Sequence, residues 1–163
     1  MICSRLVINR PTKNIKVYNI AKKKLMDGTF DLDKASAGSF RMSLYTSASN
    51  AATLTVSTRT QLSSAGFEVT EANGYSSSGK PLASVTWAVG ASATEYRWNA
   101  AALVWTAAGG SISNIKYAVI WGGLGTQADK LLCFSQLSTA QFTVTSGNTL
   151  TITPSANGIF ELN

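Results

Sequence analysis

The stretch GYSSSGKPL, Gly74 to Leu82, opens as G-x-x-x-x-G-K and so nearly spells a phosphate-binding loop. Such a loop needs Ser or Thr after the lysine, whose hydroxyl holds a magnesium ion, and this chain has Pro81 there. It also needs a buried strand before it and a helix after it, so that backbone amides converge on the phosphates. After Pro81, Val85, Trp87 and Val89 alternate with Ser84, Thr86 and Ala88, which is the period of a strand. The preceding FEVTEANGY reads as extended too. The stretch is therefore expected to be a Gly/Ser-rich turn linking two strands.

Other chemistry finds few residues to work with. The chain has no histidine, which excludes Ser-His-Asp and Cys-His nucleophilic machinery and removes the commonest zinc ligand. Asp27, Asp31 and Asp33 cluster in DGTFDLD. Counted from Asp27, however, the sixth and twelfth positions of a calcium loop are Leu32 and Gly38 instead of Gly and Glu, so solvated acids on a turn are expected. Glu68, Glu71 and Glu95 have no spacing that sets two carboxylates about a sugar. Cys3 and Cys133 form neither a disulfide framework nor a metal knuckle, and both are read as free thiols. The expectation is no enzyme, no cofactor and no metal.

Two features point to binding instead. The four tryptophans could stack on sugars, but their strand parity groups Trp87 with Val85 and Val89, Trp98 with Tyr96, Trp105 with Leu103, and Trp121 with Tyr117 and Val119. That pattern predicts core indoles. The charge is uneven: residues 1 to 26 hold Arg5, Arg10, Lys13, Lys16, Lys22, Lys23 and Lys24 without one acid, whereas the rest of the chain has seven basic and eight acidic side chains. The basicity belongs to an N-terminal arm, and such an arm reaches for a polyanion or an acidic protein surface. Only Tyr18 stands near the lysine run, so direct nucleic-acid binding is not expected.

These residues must be positioned by a single domain, since 163 residues suffice for one real core. Charged residues are only 13% of the chain and Ser, Thr, Ala and Gly abound, a composition of short strands and turns. Residues 1 to 38 read as the basic arm and connector, with a short helix over 16 to 26 stopped by Asp27-Gly28. From 39 to 163, nine strands are expected: 39 to 46, 83 to 90, 94 to 99, 102 to 107, 113 to 121, 130 to 137, 140 to 145, 149 to 153 and 158 to 162. The irregular segment between the first two reads as either a short helix or a wandering loop. The architecture predicted is all-β, a jelly-roll or Greek-key β-sandwich. No apolar run is long enough to span a membrane and no signal-peptide stretch opens the chain, so synthesis in a cytoplasm without membrane attachment is expected.

KKKLMDGTFDLDK, SFRMSLYTS, NGYSSSGKPL, KYAVIW, LLCFSQL and the terminal NGIFEL together resemble a family of small structural proteins of tailed bacteriophages. The family pattern runs L-x-D-G-T-x-D-L-D, then F-x-x-x-L-Y-T-S, a G-Y-x-x-G-G-x-x-L turn and an R/K-Y-A-V-I-Y strand. The resemblance spans about Lys22 to Leu162 and departs at Ser78, where the family has glycine, and at Trp121. It implies a virion component, with a capsid decoration (cement) protein on the outer shell as the first expectation. Its partners would be the major capsid protein and neighbouring copies of itself, as a dimer or trimer. On that reading the seven arm cations meet the acidic capsid surface, Ile2, Leu6, Val7 and Ile8 bury apolar area, and a chain starting at Asp27 still folds. The alternative is a receptor- or carbohydrate-binding module of a tail fibre or spike, which requires exposed aromatics at one end of the sandwich.

Overall fold

The computed structural model describes residues 15–33, 38–63, 66–90 and 93–162. Its strands, in chain order, are β1 (Ile15–Val17), β2 (Phe40–Tyr45), β3 (Lys80–Pro81), β4 (Thr86–Val89), β5 (Tyr96–Asn99), β6 (Leu103–Thr106), β7 (Ile112–Ile115), β8 (Tyr117–Gly122), β9 (Leu131–Gln136), β10 (Phe142–Val144), β11 (Thr149–Ile152) and β12 (Phe160–Leu162). Two α-helices, α1 (Asn19–Met26) and α2 (Arg59–Ser63), and a 3-10 turn at Gly125–Gln127 complete the described elements. Every strand pairing is antiparallel, in a five-stranded sheet β1-β9-β8-β2-β3, a three-stranded sheet β12-β5-β4 and the ladders β10-β7 and β11-β6. The mostly β character expected from composition is therefore present.

All six residues of β8 are buried, because both faces of the central sheet are covered. Along one face Met42, Ile120 and Cys133 form a cross-strand row. With Leu103 of β6 and Leu150 of β11, that row lines a shared apolar cavity. On the other face Trp121 and Ser43 meet side chains from the irregular segment 46–79. Rings then carry the core outward in a chain of contacts: Phe30 to Phe40 at 6.2 Å, Phe40 edge-on to Trp98 at 4.9 Å, Trp98 to Phe160 at 5.5 Å. The buried Trp98 indole donates to the Leu32 carbonyl at 2.9 Å, which satisfies its polar edge.

The run 113–121, expected as one strand, is two. Asn114, inside the first of them, adopts φ of 63°, a left-handed conformation that asparagine tolerates, and the pairing of β7 with β10 shifts register around it. Lys116 stands between the two strands, its N–H donating to the Tyr45 carbonyl and its carbonyl accepting from the Leu137 N–H. Ser84, with φ of 51°, likewise delays β4 until Thr86. The unexpected strands β1 and β3 are edge strands of three and two residues, too short to show a period.

The helix begins at Asn19, not at residue 16, because the three residues before Tyr18 pair with β9, Val17 opposite Cys133. It ends where expected: Gly28 takes φ of 72° and returns its N–H to the Leu25 carbonyl, as a left-handed glycine cap does. This segment is no free arm. Tyr18 is fully buried, its N–H donates to the Leu132 carbonyl at 3.1 Å and its hydroxyl to the Ala51 carbonyl at 2.5 Å. Ala21, Phe30 and Leu32 are buried as well. Residues 15–33, assigned from sequence to arm and connector, are thus packed into the body, since Tyr18 and Phe30 complete the core beside Phe134 and Phe40.

That packing reverses the expectation for a chain starting at Asp27. Without β1 and Tyr18, a buried stretch of β9 is uncovered, and thermal unfolding followed by circular dichroism should lose its cooperative transition. Tyr18→Phe, which removes only the hydroxyl bond to Ala51, should cost about 1 kcal/mol and lower Tm by roughly 2–4 °C.

Candidate interaction surface

Of the seven arm cations, Arg5, Arg10 and Lys13 lie outside the described residues. Lys16 sits in β1 between Ile15 and Val17, and its side chain is exposed while theirs pack against the core. This is strand alternation at a sheet edge. Lys22 and Lys23 are exposed on α1. Lys24 is half-buried: its Nζ lies 3.1 Å from the Asp27 carboxylate and 3.5 Å from the Thr29 hydroxyl. Lys24 thus serves the helix end, and Thr29 together with Lys24 holds the Asp27 carboxyl below its ordinary range. Lys16, Lys22 and Lys23 remain as outward cations on one strand–helix unit stitched to the sheet.

The turn read from GYSSSGKPL is a turn, and its geometry opposes anion binding. Arg41 donates from Nε to the Ser78 carbonyl at 2.7 Å and from Nη2 to the Gly79 carbonyl at 2.9 Å. Arg59 donates to the Ser77 carbonyl. The amides that a phosphate would need are committed within the turn: Ser77 N–H to Glu71, Ser78 N–H to the Ser76 hydroxyl, and Gly79 N–H to the Ser76 carbonyl. Gly74 has φ of 92°, and a Cβ there would meet the Thr106 carbonyl oxygen at 2.1 Å, so only glycine fits.

The turn is anchored by a polar cluster that sequence reasoning missed. Glu68 accepts from Arg59 Nη2 at 3.0 Å and from the Tyr75 hydroxyl at 2.8 Å. The Arg59 guanidinium lies over the Trp121 ring, 4.8 Å from its centroid, and the Trp121 indole donates to Ser43 Oγ at 3.1 Å. Where the two-residue β3 ends, the Leu44 N–H donates to the Tyr75 hydroxyl at 2.9 Å, and the Leu44 carbonyl accepts from the Val69 N–H. Burial raises the Glu68 pKa, against the Tyr75 and Arg59 contacts that lower it. The only sequence signal was that an arginine, a glutamate and a tyrosine share an otherwise irregular segment. Nine and seven residues of spacing without a helical or strand period do not predict contact.

The remaining candidates separate. Asp27 and Asp31 each accept an N–H two residues on, from Thr29 at 3.0 Å and Asp33 at 3.1 Å, while Phe30 and Leu32 turn inward. Among the described residues no three metal-ligating side chains gather. Cys133 is a free buried thiol, its pKa pushed up by burial, and Cys3 lies outside the described residues. Trp98, Trp105 and Trp121 are core residues, as their parity predicts. Trp87 departs from that expectation. It is half-buried on the edge strand β4 and lies 5.8 Å from the ring of Tyr96, near parallel at 22°. Tyr96 is 46% exposed and Val89 48%, because nothing among the described residues covers that end of β12-β5-β4.

Searches with known proteins find no matching family model, no similar curated protein and no similar solved structure. Among the described residues no helix is long and apolar enough to cross a membrane.

The Arg59–Glu68 pair generates an asymmetric prediction. Arg59→Met strands a buried carboxylate and should cost about 3 kcal/mol. Glu68→Gln keeps the Tyr75 contact and relieves the burial of charge, so it should change stability by less than about 1 kcal/mol. Because the folded-state pKa of Glu68 is raised from the ordinary 4.5, its contribution to stability is complete below that value and is lost as pH rises through the folded value. Urea titrations between pH 4 and 7 should therefore show wild type gaining on Glu68→Gln as the pH is lowered.

Proposed function

We propose that this chain is a structural protein of a tailed-bacteriophage virion, a capsid decoration protein that binds the outer shell and bridges capsid subunits. The observation that carries the reading is the exposed cation set Lys16, Lys22 and Lys23, held on a β1–α1 unit that the body fixes in place. Cations on a rigid mount lose little entropy when they meet an acidic surface, and repeated weak contacts on a lattice multiply into firm attachment. The resemblance over residues 22 to 162 supports the same assignment. The polar cluster is read as structural in this proposal, since Arg59, Glu68 and Tyr75 spend their contacts on the turn and on β2. The finer architecture that goes with the reading is a jelly-roll or Greek-key sandwich, supported by the antiparallel pairing and by β2 lying beside β8.

One observation favours a second reading, a receptor- or carbohydrate-binding module of a tail fibre or spike. Trp87 and Tyr96 present aromatic surface at one end of a sheet, as that reading requires.

Two measurements divide the readings. Lys16→Glu combined with Lys22→Glu and Lys23→Glu should weaken binding to capsids lacking the protein by about tenfold or more at low salt, with Tm unchanged. Wild-type affinity in that variant would overturn the lysine contact. In purified virions, quantitative mass spectrometry should find a copy number near parity with the major capsid protein. A trace copy number, with a Trp87 fluorescence shift on titration with host polysaccharide that Trp87→Phe abolishes, would replace the capsid reading with the second.

A further inference from the structure

The edges of the two larger sheets are not alike. β1 carries the exposed Lys16, β3 is two residues of which one is a proline without an N–H, and β12 has Glu161 at its centre. Each is a device that discourages pairing with another strand. β4, the remaining edge, reads Thr-Trp-Ala-Val, with neither charge nor proline. Its free hydrogen-bonding groups follow from the ladder. Gly90 donates its N–H to the Glu95 carbonyl, and in an antiparallel pair successive residues face alternate sides. Thr86 and Ala88 therefore spend their backbone groups on β5, while Trp87 and Val89 turn theirs outward. No described residue meets those outward groups.

That pattern complements itself. A second copy laid antiparallel about a twofold axis through Ala88 sets Trp87 of each chain opposite Val89 of the other, and the outward groups close a ladder of about four hydrogen bonds. Both side-chain pairs match an aromatic with a β-branched residue, a favoured cross-strand combination. Ser84, at φ of 51°, ends the extended run just before β4, and this register keeps every bonded residue inside the strand. Behind the edge, Arg97 of β5 stands opposite Glu161 of β12, so the sheet brings these two charges toward the axis as an offsetting pair.

We infer that β4 is the contact between two copies of this chain, joined edge to edge into one sheet of the order β12-β5-β4-β4-β5-β12. The contact covers Val89, which is 48% exposed, and the open side of Trp87, whose ring stacks on Tyr96 at 5.8 Å. It selects a dimer over a trimer, because an antiparallel strand meets its own copy about a twofold axis. The partner is the chain's own sequence, so the contact does not depend on the capsid reading. Four residues a side make a small interface, and the dimer is weak until other contacts add to it.

The test uses the full chain with Cys3→Ser, Cys133 being buried. Ala88→Cys sets two thiols across the axis at a non-hydrogen-bonded pair, with Cα atoms roughly 4.5 Å apart and so within disulfide range. Mild oxidation should yield covalent dimer at least tenfold faster than it does with Ala102→Cys, another exposed alanine. Adding Val89→Lys should remove that advantage. Equal rates at the two positions would overturn the inference. Sedimentation velocity checks it in the chain with both natural cysteines: the mean mass of wild type should rise toward the dimer with concentration, while Val89→Lys, with unchanged Tm, stays monomeric. An equal rise in both would place self-association on another surface. A wild type still monomeric at roughly 1 mM would also overturn the inference. If host polysaccharide shifted Trp87 fluorescence in that monomer, the face would belong to the tail-fibre reading instead.

Discussion

Every other feature of the structure depends on β8, Tyr117 to Gly122, being buried on both faces. A strand in that position satisfies its backbone through two neighbours, here β2 and β9, and needs a cover above and below. The two covers differ in kind. The β6–β11 ladder meets one face with aliphatic side chains, whereas the segment beside Trp121 and Ser43 on the other face adds hydrogen bonds and an ion pair to its buried Leu62, Val69 and Tyr75. An apolar cover tolerates imperfect fit at the cost of a cavity. A polar cover does not, because each unpaired group left in a dry interior is costly.

This difference explains why the Gly/Ser-rich turn is so closely specified. Arg41 and Arg59 between them grip three consecutive carbonyls, Ser77 to Gly79, and Tyr75 continues the β2 ladder after β3 has ended. A stretch whose letters suggest a phosphate cradle is instead a cradle for guanidinium groups. The chemistry of a loop follows from which backbone groups face inward, and in this turn they are oxygens.

The same stitching sets what the surface can present. β1 and α1 are tied to β9 through Tyr18, so Lys16, Lys22 and Lys23 are carried by the core and not by a free tail. Lys16 on the edge strand also keeps that edge from pairing with another chain, a common use of lysine at sheet edges. At the other end, β4 is an edge of four residues with Trp87 and Val89 partly or largely open, and none of those four residues is charged.

Local pattern determined a good deal by itself. The β class, most strand positions, the helix stop at Asp27-Gly28, the turn at Gly74 to Gly79 and the buried Trp98, Trp105 and Trp121 all follow from period, composition and the conformational needs of glycine, which act within a few residues. Only the tertiary structure decided the rest. The run 113–121 divides at Lys116 because its two halves have different distant partners, β10 for the first and β2 with β9 for the second. Trp87 shares its parity with core residues yet stands half-open, because a sheet's end depends on what covers it and not on alternation along the strand. Residues 15–33 joined the body because Tyr18 finds Ala51 and Leu132, which lie far along the chain. Arg59, Glu68 and Tyr75 met for the same reason: contacts made across an irregular segment leave no period in the sequence to be read.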